Sequence, residues 1–184
     1  MERIALYGGM FDPVHLGHLH AARETLEALH LDRVIFIPAS VPPHKKGCHA
    51  DGVHRLRMLE LATDGEVRFS VSDYELKKEG TSYSYETVQH FAALHPEDKL
   101  YFLIGDEAYA LLHTWKNPEI IKSLAEFVVV TREGVPPEDA LYVEIPKVVI
   151  SSTEVRNTLK NNADASALLP AEVASYIKEN GLYR

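Results

Sequence analysis

Two glycines and two histidines near the N-terminus form the densest concentration of chemically useful residues in the chain. Gly8 and Gly9 end a short apolar run, and His15 and His18 follow three positions apart, with Gly17 between them. A glycine pair at the end of a strand lets backbone N–H groups approach a ligand closely. Imidazoles in the first turn of a helix lie beside its free N–H groups and the positive end of its dipole. The pattern predicts an anion site, with two ordinary surface histidines as the alternative.

A second candidate segment covers residues 150–156, with the sequence Ile-Ser-Ser-Thr-Glu-Val-Arg. Ser151 and Glu154 have the spacing of a capping box, so a well-capped helix is the simpler interpretation of this segment alone. Arg156, one turn into that helix, would add a planar fork of N–H donors that suits phosphate oxygens. Together with the N-terminal segment, it favours a phosphate-binding site made from two parts of the chain.

Apolar runs that alternate with helical patterns predict the elements that position these segments. Strands are expected at 4–7, 34–37, 67–71, 100–104, 127–130 and 148–150. Helices are expected at about 15–29, at 54–62, at 84–94, as one or two pieces within 108–124, at 153–160 and at 171–180. Apolar strands each followed by a helix are typical of a parallel sheet covered on both faces. We therefore predict an α/β fold, a Rossmann-like open parallel sheet, in which ligands bind beyond the C-terminal strand ends.

Length and composition are those of a globular protein with one domain, or with one domain and a small lobe. The chain has 184 residues, of which 46% are hydrophobic and 25% charged, and its formal net charge is −8. No apolar run approaches the ~18–20 residues that span a bilayer, and the N-terminus lacks the features of a signal peptide, so we expect a cytoplasmic protein without a membrane partner. The acidic balance disfavours nucleic acid as a partner. The single cysteine, Cys48, excludes an internal disulfide framework.

The two motifs together resemble those of a known superfamily. His15-Leu16-Gly17-His18 and the segment 150–156 are similar to the paired HxGH and ISSTxxR motifs of the nucleotidyltransferases that make dinucleotide cofactors. Other segments narrow the resemblance to the bacterial nicotinate-mononucleotide adenylyltransferases, namely 41–45, 82–87, 114–115, Arg55 with 58–62, 168–170 and 181–183. The likeness extends over nearly the whole chain.

The resemblance implies adenylyl transfer in NAD biosynthesis, in which ATP and nicotinate mononucleotide give deamido-NAD and pyrophosphate without a covalent enzyme intermediate. It implies that His18 neutralises charge on the α-phosphate, that His15 binds neighbouring phosphate oxygens and that Arg156 holds the departing pyrophosphate. A single domain over 1–184 is expected, with the C-terminal helical part from about 151 to 184 completing the ATP site. Mg²⁺ is the expected cofactor, held with ATP mainly by phosphates and water.

Further ATP contacts are implied at positions that match the family's motifs. Lys45 lies in a long loop, 39–52, and is expected to reach the phosphates when that loop closes. Arg132 matches an arginine of the family's Arg-Pro-Gly turn, although Glu133 replaces the proline here. The full set implied for ATP is Gly8, Gly9, Met10, Phe11, Lys45, Arg132, Ile150, Ser151, Ser152 and Thr153.

The resemblance also implies a site that selects nicotinate. Trp115, the only tryptophan, is the expected stacking partner of the pyridine ring. Backbone N–H groups near Tyr83 and Ser84 are expected to bind the carboxylate, because an amide would present its own NH₂ to these donors. The family usually has threonine at Ser84 and aspartate at Glu107, so either Glu107 or Asp106 is left to contact the ribose. The set implied for nicotinate mononucleotide is Tyr83, Ser84, Asp106, Glu107, Trp115, His44 and Lys45.

The sequence leaves other functions open. An adenylyltransferase for nicotinamide mononucleotide or phosphopantetheine is the nearest alternative, and the segments 42–45 and 114–115 disfavour phosphopantetheine. A non-catalytic nucleotide sensor would keep the fold, but the retained histidines and Arg156 disfavour it. A metal-binding module is the third alternative, and its spacings fit no zinc pattern; it would use His44, Cys48, His49 and His54. Whether the protein forms a homo-oligomer is left open.

Overall fold

A parallel six-stranded sheet forms the centre of the protein. The computed structural model describes residues 1–40, 48–78, 80–131, 138–145 and 150–184. The strands are β1 (Arg3–Gly9), β2 (Arg33–Pro38), β3 (Phe69–Val71), β4 (Lys99–Gly105), β5 (Glu126–Thr131) and β6 (Leu141–Glu144). They are ordered β3-β2-β1-β4-β5-β6, and each neighbouring pair is parallel. The predicted Rossmann-like parallel sheet is confirmed.

The helices of the described residues follow the predicted pattern. They are α1 (Leu16–Ala28), α2 (Gly52–Thr63), α3 (Tyr74–Lys77), α4 (Ser84–Leu94), α5 (Asp106–Ala110), α6 (Pro118–Leu124), α7 (Ser152–Lys160) and α8 (Ala171–Glu179), with a short 3₁₀ helix at Leu112–Thr114. Only α3 was not predicted, because four residues are too few to show a helical periodicity. None of the helices described is long and apolar enough to cross a membrane.

Helices cover both faces of the sheet, and strand residues alternate between two cores. Ile4 and Leu6 of β1 belong to one cluster with Phe91 of α4, whereas Ala5 belongs to another with Leu26 of α1. Successive side chains of a strand point to opposite faces. A strand that is buried on both faces therefore has a continuous apolar sequence, which is the pattern that predicts β1.

The sixth strand does not lie where the sequence predicts it. Of the expected strand at 148–150, Val148 and Val149 lie outside the described residues, and Ile150 belongs to no strand but directly precedes Ser151, the N-cap of α7. Among the described residues the last strand of the sheet is β6, in which only Val143 is buried. Its short apolar stretch, Leu141-Tyr142-Val143, buries a single side chain, so it is a weaker strand signal than the fully buried runs of the interior strands.

β1 and β4 lie side by side at the centre of the sheet, and their connections leave in opposite directions. From β1 the chain crosses to β2, whereas from β4 it crosses to β5 on the other side. In open parallel sheets such a point forms a crevice at the C-terminal strand ends, where ligands bind. Gly9 and Gly105 end these two strands, so the glycine–histidine motif lies at this crevice.

Candidate active site

The two histidines of the N-terminal motif stack on each other at the start of α1. Their ring centroids are 3.7 Å apart, and their planes differ by 26°. His15 is only 3% exposed, whereas His18 is half-buried. The backbone N–H of His15 donates to Nδ1 of His18 at 3.2 Å. The neutral ring of His18 therefore carries its proton on Nε2, which makes that nitrogen a donor for an anion.

Two glycines of the motif are required by rings that lie against the backbone. A Cβ at Gly9 would lie 3.0 Å from the ring of Phe11, and a Cβ at Gly17 would lie 3.0 Å from Nδ1 of His15. A Cβ at Gly8, by contrast, would meet its nearest side chain only at 3.9 Å. The packing of the described residues does not require Gly8, and they leave room beside it for a ligand.

Phe11 occupies a backbone conformation that few residues other than glycine adopt. Its φ is +46°, in the left-handed region. Its ring is buried and packs edge-on against His18, with 5.0 Å between the ring centroids. Phe11 thus supports the catalytic candidate with its side chain, while its backbone lies in the turn between β1 and α1.

Helix α7 is hydrogen-bonded to the turn between β1 and α1, and this contact places the two motifs side by side. Ser152 Oγ donates to the carbonyl of Pro13 at 3.0 Å. Nη1 of Arg156 donates to the carbonyl of Asp12 at 2.7 Å, and Nη2 donates to Thr153 Oγ1 at 3.1 Å. The guanidinium group is therefore held at both ends beside the N-terminal motif.

The capping interpretation of the C-terminal motif is also correct. Ser151 Oγ accepts a hydrogen bond from the N–H of Glu154 at 3.1 Å, which satisfies one of the N–H groups that a helix start leaves without a partner. Ile150, just before it, is 6% exposed and belongs to the core. Any contact of Ile150 with a ligand would therefore come from its backbone.

A buried arginine supports the same turn from the other side. Arg55 of α2 is 1% exposed, and it donates at 2.7 to 3.2 Å to the carbonyls of Met10, Ala39 and Ala50. It thereby joins the glycine-rich turn to both ends of the loop that follows β2. The sequence predicts no role for Arg55 beyond the resemblance. The sequence signal that Arg55 is buried is its spacing from Met58 and Leu59, because this spacing places the three residues on one buried face of α2.

Tyr83 and Ser84, two of the residues expected to select nicotinate, lie at the start of α4. Tyr83 is the N-cap residue and Ser84 the first helical residue, and among the described residues no acceptor binds the N–H of Ser84. Nζ of Lys116 lies 4.4 Å from the ring centroid of Tyr83, which brings the segment of Trp115 beside α4. Trp115 is half-buried and packs edge-on against Phe102. A helix start with unpaired N–H groups attracts a carboxylate.

A buried glutamate lies behind this helix start. Glu75 of α3 is 7% exposed, and Thr87 Oγ1 donates to its Oε1 at 2.7 Å. Burial raises the pKa of Glu75 above its ordinary value, and the hydrogen bond from Thr87 and the charge of Lys78 oppose that shift. Because Thr87 lies one turn into α4, the bond ties α3 to the start of α4.

The two acidic residues after β4 differ in their contacts. Oδ2 of Asp106 accepts a hydrogen bond from the buried Thr131 Oγ1 at 2.8 Å, and Oδ1 accepts one from the N–H of Glu107, also at 2.8 Å. Glu107 is exposed, and its carboxylate meets no donor within the described part of the chain. Asp106 is therefore engaged with β5, whereas Glu107 is available to a ligand.

Three of the expected site residues, His44, Lys45 and Arg132, lie outside the described residues, so their roles stay predictions. Elsewhere, across the described ranges, no three His, Cys, Asp or Glu side chains are placed to hold a metal ion. Nδ1 of His54 lies 2.9 Å from the hydroxyl of Tyr176. His54 thus has a structural partner within the protein.

Comparisons with known sequences cover the whole chain. A family model described as cytidylyltransferase-like matches residues 6–158. A protein of Clostridium tetani named "Probable nicotinate-nucleotide adenylyltransferase" is 40% identical, and the match covers 100% of both chains. A protein of the same name from Thermus thermophilus is 43% identical over 99% of this chain and 100% of its own.

Comparison with solved structures gives the same fold. The nicotinic acid mononucleotide adenylyltransferase of Plasmodium falciparum, complexed with NaAD, matches with a TM-score of 0.83 at 19% identity, covering 100% of this chain and 98% of that one. The same enzyme complexed with APC matches with a TM-score of 0.80. At this identity the likeness concerns the fold alone.

Proposed function

Because the chain belongs to the cytidylyltransferase-like family and, within it, to the nicotinate-nucleotide adenylyltransferases, we propose that its two motifs together carry out adenylyl transfer from ATP to nicotinate mononucleotide. The products are deamido-NAD and pyrophosphate. The observation that supports this assignment of residues is the docking of α7 on the β1–α1 turn, where Arg156 donates to the carbonyl of Asp12 at 2.7 Å. This contact brings a guanidinium group to the turn that leads into His15 and His18.

The reaction requires the protein to align the acceptor phosphate with the α-phosphorus of ATP and to neutralise the charge on the phosphates. A 5′-phosphate oxygen of the acceptor attacks the α-phosphorus of ATP, a new P–O bond forms, and the bond from the α-phosphorus to the oxygen that bridges to the β-phosphate breaks. The attacking oxygen is already ionised near neutral pH, so no side chain has to remove a proton from it. Alignment of the two reacting groups can contribute up to ~7–11 kcal/mol to the lowering of the barrier.

His18 is placed to meet the charge that develops at the α-phosphate. Its Nδ1 is occupied by the backbone N–H of His15, so Nε2 is the nitrogen that donates to a phosphate oxygen. His15 stacks against it and is nearly buried, and its role is to hold neighbouring phosphate oxygens and the orientation of His18. Preorganised donors of this kind contribute about 3 kcal/mol each to a transition state.

Arg156 is placed to hold the departing pyrophosphate. Of its five N–H donors, the carbonyl of Asp12 and the hydroxyl of Thr153 engage two and fix the plane of the guanidinium. The others are directed to phosphate oxygens, together with N–H groups at the start of α7 near Ser152. Lys45 and Arg132 extend this binding from loops, Lys45 to the phosphates and Arg132 near the adenosine.

The nicotinate ring is assigned to the space between Trp115 and the start of α4. Trp115 stacks on the pyridine ring, and the N–H of Ser84 donates to the carboxylate at the positive end of the helix dipole. Glu107 accepts from the ribose hydroxyls, because Asp106 is already bonded to Thr131. An amide in place of the carboxylate would turn its NH₂ group toward donors, so nicotinamide is disfavoured.

Magnesium accompanies ATP rather than residing in the protein. Since the described residues contain no group of three metal ligands, phosphates and water would supply most of its coordination. When bound, Mg²⁺ neutralises part of the charge on the phosphates.

The proposal is tested by measuring pyrophosphate release with ATP, Mg²⁺ and one of three acceptors. We expect turnover with nicotinate mononucleotide, much slower turnover with nicotinamide mononucleotide and none with phosphopantetheine. ATP binding without turnover on any acceptor would identify a nucleotide sensor and overturn the proposal. A preference for nicotinamide mononucleotide would overturn the assignment of the α4 start while leaving adenylyl transfer in place.

A further inference from the structure

The buried residue Asp12 joins segments that are far apart in the sequence. Its side chain is 4% exposed. Oδ1 accepts from the hydroxyl of Tyr183 at 2.6 Å and from the N–H of Ala50 at 3.1 Å, and Oδ2 accepts from the N–H of His49 at 2.7 Å. The carbonyl of the same residue orients Arg156. Asp12 therefore contacts α7, the end of the loop after β2 and the segment that follows α8.

No helix or strand fixes the position of Asp12. β1 ends at Gly9 and α1 begins at Leu16, so the segment between them has no ladder of backbone hydrogen bonds. Phe11, just before Asp12, has a φ of +46°, a conformation that costs about 1–3 kcal/mol and must be held by its surroundings. The hydrogen bonds to Asp12 therefore help to hold this turn in place, together with those from Arg55 to the Met10 carbonyl and from Ser152 to the Pro13 carbonyl.

Tyr183 reaches Asp12 because the chain reverses after α8. The N–H of Leu182 donates to the carbonyl of Ile177 at 3.0 Å, and Gly181 has a φ of +61°. This is a Schellman turn, in which Gly181 follows the last residues of α8. Burial and the neighbouring Asp12 carboxylate raise the pKa of Tyr183, so its hydroxyl keeps its proton and remains a donor.

We propose that Tyr183 is a positioning residue for adenylyl transfer, whose hydrogen bond to Asp12 holds the β1–α1 turn so that His18 and Arg156 meet the phosphates of ATP together. The inference rests on the proposed function, because that function assigns His18 and Arg156 to the reaction. Without the hydroxyl, Oδ1 of Asp12 keeps only its longer bond. The carboxylate is then held by the N–H groups of Ala50 and His49 but has lost its link to the C-terminal segment, so the turn can shift and displace the carbonyl that orients Arg156.

The test compares Tyr183→Phe with Tyr176→Phe, which removes a hydroxyl from the same C-terminal part of the chain. Tyr176 lies in α8, and its hydroxyl bonds to Nδ1 of His54 at 2.9 Å rather than to the β1–α1 turn. Both variants lose one tyrosine hydrogen bond and no ring. The unfolding midpoint, kcat, the KM for nicotinate mononucleotide and the Kd for ATP are measured for both.

For Tyr183→Phe we expect kcat to fall about tenfold, which corresponds to ~1.4 kcal/mol and to the loss of one hydrogen bond. We expect the Kd for ATP to rise a few-fold and the KM for nicotinate mononucleotide to stay the same, since the α4 start is not held by Asp12. Tyr176→Phe should keep the kcat and both affinities of the unsubstituted protein, with a similar change in unfolding midpoint.

A purely structural role predicts a different result. If Tyr183→Phe keeps the kcat of Tyr176→Phe at equal folded fraction, the positioning role is wrong. Equal changes in the KM for nicotinate mononucleotide and the Kd for ATP would also contradict it, because the substitution would then affect both substrates and not only the binding of the ATP phosphates. The unsubstituted protein tests the proposed function separately: if it binds ATP but turns over no acceptor, that function fails, and the Kd comparison still tests the effect of Tyr183 on the turn.

Discussion

The two histidines of the candidate active site differ in their surroundings, and the proposed function assigns them different roles. His15 is nearly buried, with its ring close to Gly17 and stacked on His18. His18 is half-buried, with its proton directed to Nε2 by the bond at Nδ1. An interaction that strengthens as charge develops accelerates a reaction more than one that binds the ground state equally well. We therefore expect the loss of His18 to lower kcat more than the loss of His15 does.

Replacing His18 by alanine should lower kcat by about 10²–10³, the effect of removing one preorganised donor from a developing charge. The control is His20→Ala, because His20 lies on the same helix and its polar contact among the described residues is a weak one with Glu24, at 3.8 Å. Kinetics of pyrophosphate release and circular dichroism of both variants check the prediction. A nearly normal kcat for His18→Ala would remove its assigned role.

Adjacent glycines of the same motif should respond differently to alanine. Gly9→Ala brings a Cβ to 3.0 Å from the Phe11 ring and should lower the free energy of unfolding by ~1–3 kcal/mol. Gly8→Ala has room in the folded protein, with its nearest contact at 3.9 Å, so its stability should change by less than about 0.5 kcal/mol. We expect Gly8→Ala to weaken ATP binding instead. Urea unfolding and ATP titration measure the two effects, and normal ATP affinity in Gly8→Ala would exclude a ligand beside Gly8.

At the scale of elements, the start of α4 allows one backbone donor to be removed without loss of the helix. Ser84 is the first helical residue, a position that proline tolerates. Tyr83 already has the extended conformation that precedes proline, with φ −113° and ψ 133°. Ser84→Pro should raise the KM for nicotinate mononucleotide about tenfold or more, since hydrogen bonds to charged groups contribute ~1.5–3 kcal/mol.

Ser84→Ala is the matched control for this change, because it removes the hydroxyl and keeps the N–H. We expect it to retain most of the affinity for nicotinate mononucleotide and the preference over nicotinamide mononucleotide. If Ser84→Ala abolishes the preference for nicotinate mononucleotide and Ser84→Pro causes no further loss of affinity, the hydroxyl rather than the backbone N–H selects the carboxylate.

The contact between α3 and α4 should make stability depend on pH through Glu75. Burial raises the pKa of Glu75 in the folded protein, so the folded state holds this proton more tightly than the unfolded state does. The contribution of Glu75 to stability is therefore greatest in acid and is lost as pH rises through the folded pKa. Glu75→Gln keeps an acceptor for Thr87 and removes the charge.

We expect Glu75→Gln to gain stability relative to the unsubstituted protein as the pH is raised from about 5 to about 8. Urea unfolding at the two pH values measures the difference, and Glu119→Gln, an exposed glutamate of α6, serves as the control. A difference that does not change with pH would show that Glu75 has the same pKa in the folded and unfolded protein.

At the scale of the whole molecule, an acidic protein binds anionic substrates through a local concentration of positive groups. The formal net charge is −8 with histidine counted as neutral, yet Arg55 and Arg156 lie at or behind the β1–α1 turn, where His15 and His18 add ring N–H donors. Charges farther apart than about 10 Å are largely screened at 0.1 M salt. Local groups and helix N-termini therefore determine the affinity for phosphate, whereas the net charge acts on solubility and on nucleic acid.

Removal of divalent metal should affect turnover without affecting the fold. Over the described ranges no three side chains are placed to ligate a metal, so Mg²⁺ is expected to arrive with ATP. EDTA in excess should abolish pyrophosphate release while leaving the unfolding midpoint of the ligand-free protein within about 2 °C. A clear fall of that midpoint in EDTA would instead indicate a metal that the fold requires.

Most elements could be predicted from the sequence because their signal is local. α4 was predicted over 84–94 and spans Ser84–Leu94, since burial of one helix face repeats at helical spacing. Interior strands such as β1 carry apolar residues on both faces and are equally visible. β6 was missed and α3 was too short to detect. An edge strand and a single helical turn bury too few side chains to leave a pattern.

The sequence by itself determined the fold class, the two motifs and the chemistry that their residue types allow. Only the tertiary structure decided how these residues are held: Arg156 donates to the carbonyl of Asp12, Asp12 accepts from Tyr183, and Asp106 accepts from Thr131. The reason is physical. Sequence periodicity indicates burial within one element. The pairing of residues 144 and 171 positions apart depends instead on how the chain connects at the C-terminal strand ends and on where each helix ends.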